Sequence, residues 1–224
     1  AIGFKINSVL DPTWKVVVVN IRLSRICLSM LVGIALAVAG TVFQGILRNP
    51  LADPFTIGVS TGAAFGASIA LFFGLGSKLF LGFGLIPIAS LAGAMAALFA
   101  VISLGRISGQ LRRETMVLAG IVVATFLSAL ISLIKSLDEE SVASIVFWVM
   151  DSFQGRGWNH FAFALPYMIV GLVVMWIYSR ELDILSMGDT QARQMGVRTE
   201  KVRLRLMIGA GVLTAAAVSV SGVI

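Results

Sequence analysis

Residues 26–47 read ICLSMLVGIALAVAGTVFQGIL, without one charged side chain, and run directly into Arg48-Asn49-Pro50-Leu51-Ala52-Asp53-Pro54. A helix rises about 1.5 Å per residue, so this run is long enough to cross the ~30 Å hydrocarbon layer of a bilayer. Further uncharged runs of similar length occupy residues 55–77, 79–105, 115–134, 157–179 and 206–224. All read as helices, because backbone in lipid must satisfy its own hydrogen bonds and no stretch shows the alternation of a barrel strand. The run from Phe55 is rich in Gly and Ser and is expected to cross obliquely or only part of the way. The expected fold is all-α: a polytopic membrane helix bundle with about six spans.

Composition agrees. Apolar residues make up 58% of the 224 residues, glycine adds 23 more, and charged residues contribute only 12%, about half the share usual in soluble domains. A water-soluble globule would have to carry much of that apolar surface outside, and a disordered chain has the opposite composition. The single cysteine, Cys27, excludes an intramolecular disulfide framework, and the single histidine, His160, excludes a His-rich metal centre. No metal site and no cofactor is expected. The net charge of +6 is spread over short gaps between apolar runs, without the basic stripe and interleaved aromatics of a nucleic-acid binder.

The gaps fall on two sides. One holds Arg48, Arg106, Arg112, Arg113, Arg180, Arg193, Arg198, Lys201, Arg203 and Arg205; the other holds Lys5, Lys15, Arg22, Arg25, Lys78, Lys135 and Arg156, with the acidic Asp138, Glu139 and Glu140. The arginine-rich side is therefore assigned to the cytoplasm. Residues 1–25 then lie outside without a signal-peptide pattern. The chain is expected to be a single permease-like domain over residues 1–224, preceded by a missing span and cut short within its last one.

Two runs carry small residues every fourth position: Gly33, Ala37, Thr41 and Gly45 in the first, Gly58, Gly62, Gly66, Ala70 and Gly74 in the second. Small-xxx-small faces let membrane helices approach closely. Between them Pro50 and Pro54 forbid a continuous helix, and Asp53 is placed as N-cap with Pro54 at the first helical position. Gln44 adds an uncharged polar group near the inner end of its helix. A bend this stiff suits a fixed constriction, or is simply a well-made turn. Residues 180–205 form the longest inner gap. Leu182, Leu185, Met187, Ala192 and Met195 give it apolar faces broken at Gly188 and Gly196, which predicts two short helices lying on the membrane's inner surface. On the outer side, Arg22 and Arg25 lie three apart on one helix face, as partner contacts or as snorkelling interface anchors. Residues 141–150 predict a short apolar outer helix with Trp148 at the interface.

At these residues a family becomes visible. Arg22-Leu23-Ser24-Arg25, Leu31-Val32-Gly33-Ile34-Ala35-Leu36-Ala37-Val38-Ala39-Gly40, Gln44-Gly45, Asn49-Pro50-Leu51-Ala52-Asp53-Pro54 and Gly58-Val59-Ser60-Thr61-Gly62-Ala63 resemble the permease subunits of bacterial ABC importers for iron–siderophore complexes, heme and cobalamin, the type II importers. Leu118-Ala119-Gly120, Leu185-Ser186-Met187-Gly188-Asp189 and Ala192-Arg193-Gln194-Met195-Gly196-Val197 add to the likeness, which runs in order along nearly the whole chain. Ser24 departs from it, since the family usually has proline between the two arginines.

The resemblance implies a ten-helix subunit of which this chain holds the second to seventh helices, lacking the first and the last three. It implies a second permease subunit (identical or homologous), two ABC ATPase subunits and an extracytoplasmic substrate-binding protein as partners, with membrane lipid around them and no nucleic acid. It implies that Arg22 and Arg25 dock the binding protein, and that Gln44, Asn49, Pro50, Leu51, Asp53, Glu114 and Thr115 line the translocation path or its inner gate. Residues 180–205, through Leu185, Gly188, Ala192, Arg193 and Gly196, would form the coupling element that docks on the ATPase, unless the segment merely rests on anionic lipid. The chain has no Gly-x-x-x-x-Gly-Lys-Ser/Thr loop, so nucleotide chemistry would belong to a partner and this chain is not expected to be an enzyme. The competing expectation is a membrane structural or interaction subunit without a transport path of its own. Which chelate would be carried is left open among siderophore, heme and cobalamin.

Overall fold

The computed structural model describes residues 14, 16–75, 79–80, 83–107, 110–150 and 152–223. The expected outer residues Lys5, Lys15 and Lys78 lie outside them. The helices are α1 (Ser24–Leu47), which continues a π-helical stretch Val16–Leu23, α2 (Val59–Phe72), α3 (Leu85–Leu104), α4 (Arg113–Leu137), α5 (Glu139–Val149), α6 (Trp158–Ile177), α7 (Ser179–Met187), α8 (Asp189–Gln194) and α9 (Thr199–Ser221). Two-residue antiparallel pairs close the turns before and after α3: β1 (Leu79–Phe80) with β2 (Phe83–Gly84), and β3 (Arg106–Ile107) with β4 (Gln110–Leu111). The all-α reading and the pair of short helices in the long inner gap both hold.

Among the described residues, Val16–Leu47, α3, α4, α6 and α9 are long and apolar enough to cross a membrane. The second run does not become a full span. With 14 residues, α2 reaches about 21 Å, short of the hydrocarbon thickness. The late start has a local cause. Gly58 sits at φ +78° immediately before α2, and a Cβ there would stand 3.2 Å from the Gly120 carbonyl oxygen of α4. The Asp53 carboxylate accordingly caps a turn rather than the helix: its Oδ1 accepts from the Thr56 backbone N–H at 2.7 Å. The expected N-cap thus lies five residues before the observed one, Gly58.

The two small-residue stripes do not face each other. The Gly62–Gly66 face of α2 packs on Ala89, Gly93 and Ala97 of α3, where a Cβ on Gly93 would lie 2.3 Å from the Gly62 carbonyl oxygen. Backbone touches backbone there, which supplies the dispersion contact that holds helices together in lipid. On α1, Gly33, Ala37 and Thr41 are exposed, and nothing stands within 4 Å of a Cβ built on Gly33.

The most enclosed helix is α9, with Ala210, Leu213, Ala215, Ala216 and Ala217 fully buried. Its small side chains let α1, α3 and α6 close around it; a Cβ on Gly211 would meet Leu98 Cδ2 at 2.4 Å. It begins at Thr199, seven residues before the uncharged run at 206, so Lys201, Arg203 and Arg205 belong to a helix rather than to the inner loop. At the other end of the bundle, the Trp158 indole donates to the Val19 carbonyl at 3.1 Å and the Ser152 N–H to the Ser221 carbonyl at 3.3 Å. These contacts gather the outer ends, as the alternating topology requires.

Candidate functional site

Three inner segments converge: the bend after α1, the turn between α3 and α4, and the α7–α8 pair. Arg48 joins the first to the third. It caps α1 in the left-handed region at φ 50°, and it is the one non-glycine with positive φ among the described residues. That conformation costs about 1–2 kcal/mol in a side-chain-bearing residue. It aims the guanidinium across to α7, where Nη2 and Nε donate to the Leu185 carbonyl oxygen at 2.8 and 3.2 Å. Leu185 itself is buried. Beneath it, Gly45 lies so close that an added Cβ would be 2.9 Å from Leu182 Cδ1.

Gly188 separates the two short helices at φ +149°, where an added Cβ would collide with Gln191 Oε1 and stand 3.2 Å from Arg48 Nη2. The next residue, Asp189, is the hub of the site. One carboxylate oxygen accepts from Arg113 Nη2 of α4 at 2.8 Å and from Arg203 Nη2 of α9 at 2.7 Å. Arg203 is 3% exposed; its other terminal nitrogen donates to the Leu111 carbonyl of β4. Glu200 completes the ring, its Oε2 accepting from the Leu111 N–H at 2.9 Å. The result is a charge-assisted network that pins α8, α9 and the α3–α4 turn together.

Charge tuning follows from this arrangement. Burial pushes the Asp189 carboxyl up, but the Arg203 charge and the hydrogen bonds from Arg113 and Arg203 outweigh it, leaving its pKa below the ordinary value. Arg48 is held below the ordinary arginine range, first by desolvation and then by the positive charge of Arg113.

The other expected site residues divide. In the bend, the Gln44 side-chain amide donates to the Pro50 carbonyl at 3.0 Å and Asn49 Oδ1 accepts from the Leu51 N–H at 3.0 Å. The bend is therefore braced from within, and Leu51 projects from it at 83% exposure. Glu114 is exposed in the first turn of α4. The Thr115 hydroxyl is turned back to the carbonyls of Gly105 and Arg112, at 2.8 and 2.9 Å, and so fastens the α3–α4 turn. Ala192 is fully buried, whereas Arg193 and Gly196 are exposed, Gly196 at φ +82°. At the outer end Arg22 is exposed and Arg25 half-buried. Ser24 between them is buried and donates its hydroxyl to the Asn20 carbonyl at 2.6 Å, offsetting one of the backbone acceptors loosened where the π-helical stretch meets α1.

Sequence reasoning missed the hub. Asp189 appeared only inside a matched motif, and Arg113 and Arg203 only as inner charges. The available signal was an acid directly after a glycine in the most arginine-rich inner segment. Among the described residues no three His, Cys, Asp or Glu side chains are grouped to hold a metal ion.

Comparison with known proteins gives a consistent answer. The model of the FecCD transport family matches residues 3–224. The chain is 40% identical over 215 residues to the uncharacterized ABC transporter permease protein YvrB of Bacillus subtilis, covering 96% of this chain and 61% of that protein. It is 38% identical over 212 residues to the cobalamin import system permease protein BtuC of Halobacterium salinarum, covering 95% and 56%. It is 36% identical over 222 residues to the hemin transport system permease protein HmuU of Yersinia pestis, covering 96% and 64%. A solved inward-facing structure described as a metal-chelate type ABC transporter superposes with a TM-score of 0.83 at 31% identity, over 97% of this chain and 68% of that one. The chain spans about three fifths of the length of the curated relatives it matches.

Proposed function

The chain belongs to the FecCD transport family, and from that membership we propose that it works as a membrane-spanning permease subunit of an ATP-driven importer. The cargo is a bulky chelate of the iron–siderophore, heme or cobalamin kind, handed over by an extracytoplasmic binding protein. Its partners are a second permease subunit and two separate ATPase subunits that carry out all nucleotide chemistry. The multi-pass membrane placement is established by family and by the apolar spans.

One observation carries the mechanistic part of this reading. The α7–α8 pair is fastened to the bend by Arg48 and to α4 and α9 by Asp189. A force applied to α7–α8 from the cytoplasm is thereby transmitted to three other elements at once. Within the pair the roles separate. Leu185 and Ala192 are buried and hold it on the bundle. Arg193, Gly196 and the exposed Met187 and Met195 form the face offered to an ATPase, with apolar knobs beside a cation. Gln44, Asn49, Pro50, Leu51 and Asp53, with Glu114 and Thr115 across the cluster, form the inner end of the path. Apart from Asp53 and Glu114 these walls are uncharged, which leaves selection among cargoes to the binding protein. Arg22 and Arg25 steer that encounter.

The test is uptake. Vesicles holding the full-length permease with its partners are loaded with ATP and offered radiolabelled iron–siderophore, heme and cobalamin. ATP-dependent accumulation of one of them is expected. ATP hydrolysis with no accumulation of any of the three would favour a subunit without a transport path.

A further inference from the structure

We propose that the inner groove between α7 and the first turns of α9 binds the phosphate-bearing headgroup of an anionic phospholipid. The groove encloses about 510 Å³. Arg180 of α7 and Arg198, Lys201 and Arg205 of the α9 side line it, against a single acid, Glu181. Ile184, Val197 and Val202 supply its apolar floor. The four cations are exposed, and none of them belongs to an ion pair among the described residues.

The neighbouring cavity around Asp189 differs in kind. There Arg113 and Arg203 already pair with Asp189, and Glu200 stands close by, so the charge of these two arginines is compensated from within the chain. The α7–α9 groove has an uncompensated surplus of positive charge and calls for an anion from outside. One cation is already oriented: the Arg205 guanidinium donates to the Tyr178 hydroxyl and stands 5.4 Å from the centre of its ring.

Depth identifies the anion. Tyr178 directly follows Ile177, the last residue of the membrane-spanning α6. Just before it, Trp176 and Ile177 are 81% and 61% exposed. Neither lines the groove, but its Tyr178 edge lies at the level where the exposed apolar surface of α6 gives way to cations, the depth at which a lipid phosphate meets basic side chains. The inference needs only the membrane placement, but Met195 and Gly196 of the proposed ATPase face also line the groove, so ATPase capture is measured beside lipid preference.

Trp176 is a built-in reporter. The full-length permease in its complex is reconstituted in vesicles that mix brominated phosphatidylglycerol or brominated phosphatidylcholine with unbrominated phosphatidylcholine. The quenching due to Trp176 is taken as the difference from the Trp176→Phe variant. Phosphatidylglycerol is expected to quench at a lower mole fraction than phosphatidylcholine. Arg180→Gln, Lys201→Gln and Arg205→Gln should each lower that preference about fivefold, the effect of one basic residue near an anionic surface, whereas Arg180→Lys and Lys201→Arg should keep it. Equal quenching by the two lipids overturns the proposal. So does displacement of the lipid by millimolar inorganic phosphate, which would make the groove a soluble-anion site. Loss of ATPase association in the Gln variants with lipid preference intact also overturns it, assigning the groove to a protein.

Discussion

The Arg48 guanidinium holds the Leu185 carbonyl oxygen through two nitrogens, at 2.8 and 3.2 Å, across 137 positions of sequence. This clasp ties the proline bend to the first short inner helix. Arg48→Ala removes both hydrogen bonds and keeps an unfavourable left-handed cap, so the bend and α7 should come apart at a cost of about 1–3 kcal/mol. Arg48→Lys keeps the charge but not the planar fork. Both variants should raise ATP hydrolysis per molecule of cargo taken up in the reconstituted complex. An unaltered ratio would show that the clasp transmits nothing.

Asp189→Asn should be the most damaging single change at the inner cluster. It leaves Arg203, 3% exposed, without the carboxylate on which Nη2 rests. Breaking a fully buried pair costs about 3–5 kcal/mol, and the 39% exposure of the Asp189 side chain reduces that to roughly 2 kcal/mol. Arg113→Gln, whose side chain is 21% exposed, should cost less, because Arg203 still meets the carboxylate. Thermal unfolding of the purified complex gives the ranking; an equal or reversed order would remove Asp189 from the centre of the network.

The same carboxylate sets a pH dependence. Its pKa is lower in the folded chain than its ordinary value, so its contribution to stability is fully present above the unfolded value of about 3.9. That contribution is lost as pH falls through the lower folded value. The stability difference between the natural chain and Asp189→Asn should be flat from neutral pH to about 5 and shrink only in stronger acid. A difference that vanished already near pH 6 would contradict the assignment.

Glycine substitutions separate the two stripes. Gly93→Ala places a methyl 2.3 Å from the Gly62 carbonyl oxygen, and backbone cannot yield as a side chain can. It should cost about 1–3 kcal/mol or more and lower the yield of folded protein. Gly33→Ala meets nothing within 4 Å and should leave the stability of this chain unchanged. If Gly33→Ala fails to assemble with partners while its helices remain intact, the exposed α1 stripe is covered in the complex.

For the coupling face, Gly196→Trp is a poor probe, since Gly196 sits at φ +82° and any side chain there is strained. Met195→Glu is cleaner: Met195 is 61% exposed and ordinary in conformation. It should leave membrane insertion intact and weaken capture of the ATPase subunits at least tenfold, about 1.4 kcal/mol. Undiminished capture would remove the exposed methionines from the docking face.

The spans were legible because an uncharged run near twenty residues has few alternatives in lipid, and so were the two short inner helices, marked by apolar faces broken at Gly188 and Gly196. The start of α2 was not. Asp53-Pro54 is a sound helix opening in isolation, yet Gly58 must pass against the Gly120 carbonyl of α4, a contact no local pattern reports. The start of α9 was hidden in the opposite way: Arg203 looks like a loop residue until its partners Asp189 and Leu111 are in place. Ala192 was legible as small but not as buried, since a small residue serves a close contact inside the chain as well as one outside it.

The amino-acid order alone determined where the chain enters lipid, which side carries the arginines and which motif links it to its family, because burial in hydrocarbon and charge asymmetry act on each segment separately. Only the tertiary structure decided that Gly62 and Gly66 meet α3 rather than α1, and that Asp189 gathers Arg113 and Arg203. Those outcomes depend on side chains far apart in sequence reaching one point, and distance along the chain carries no information about such meetings.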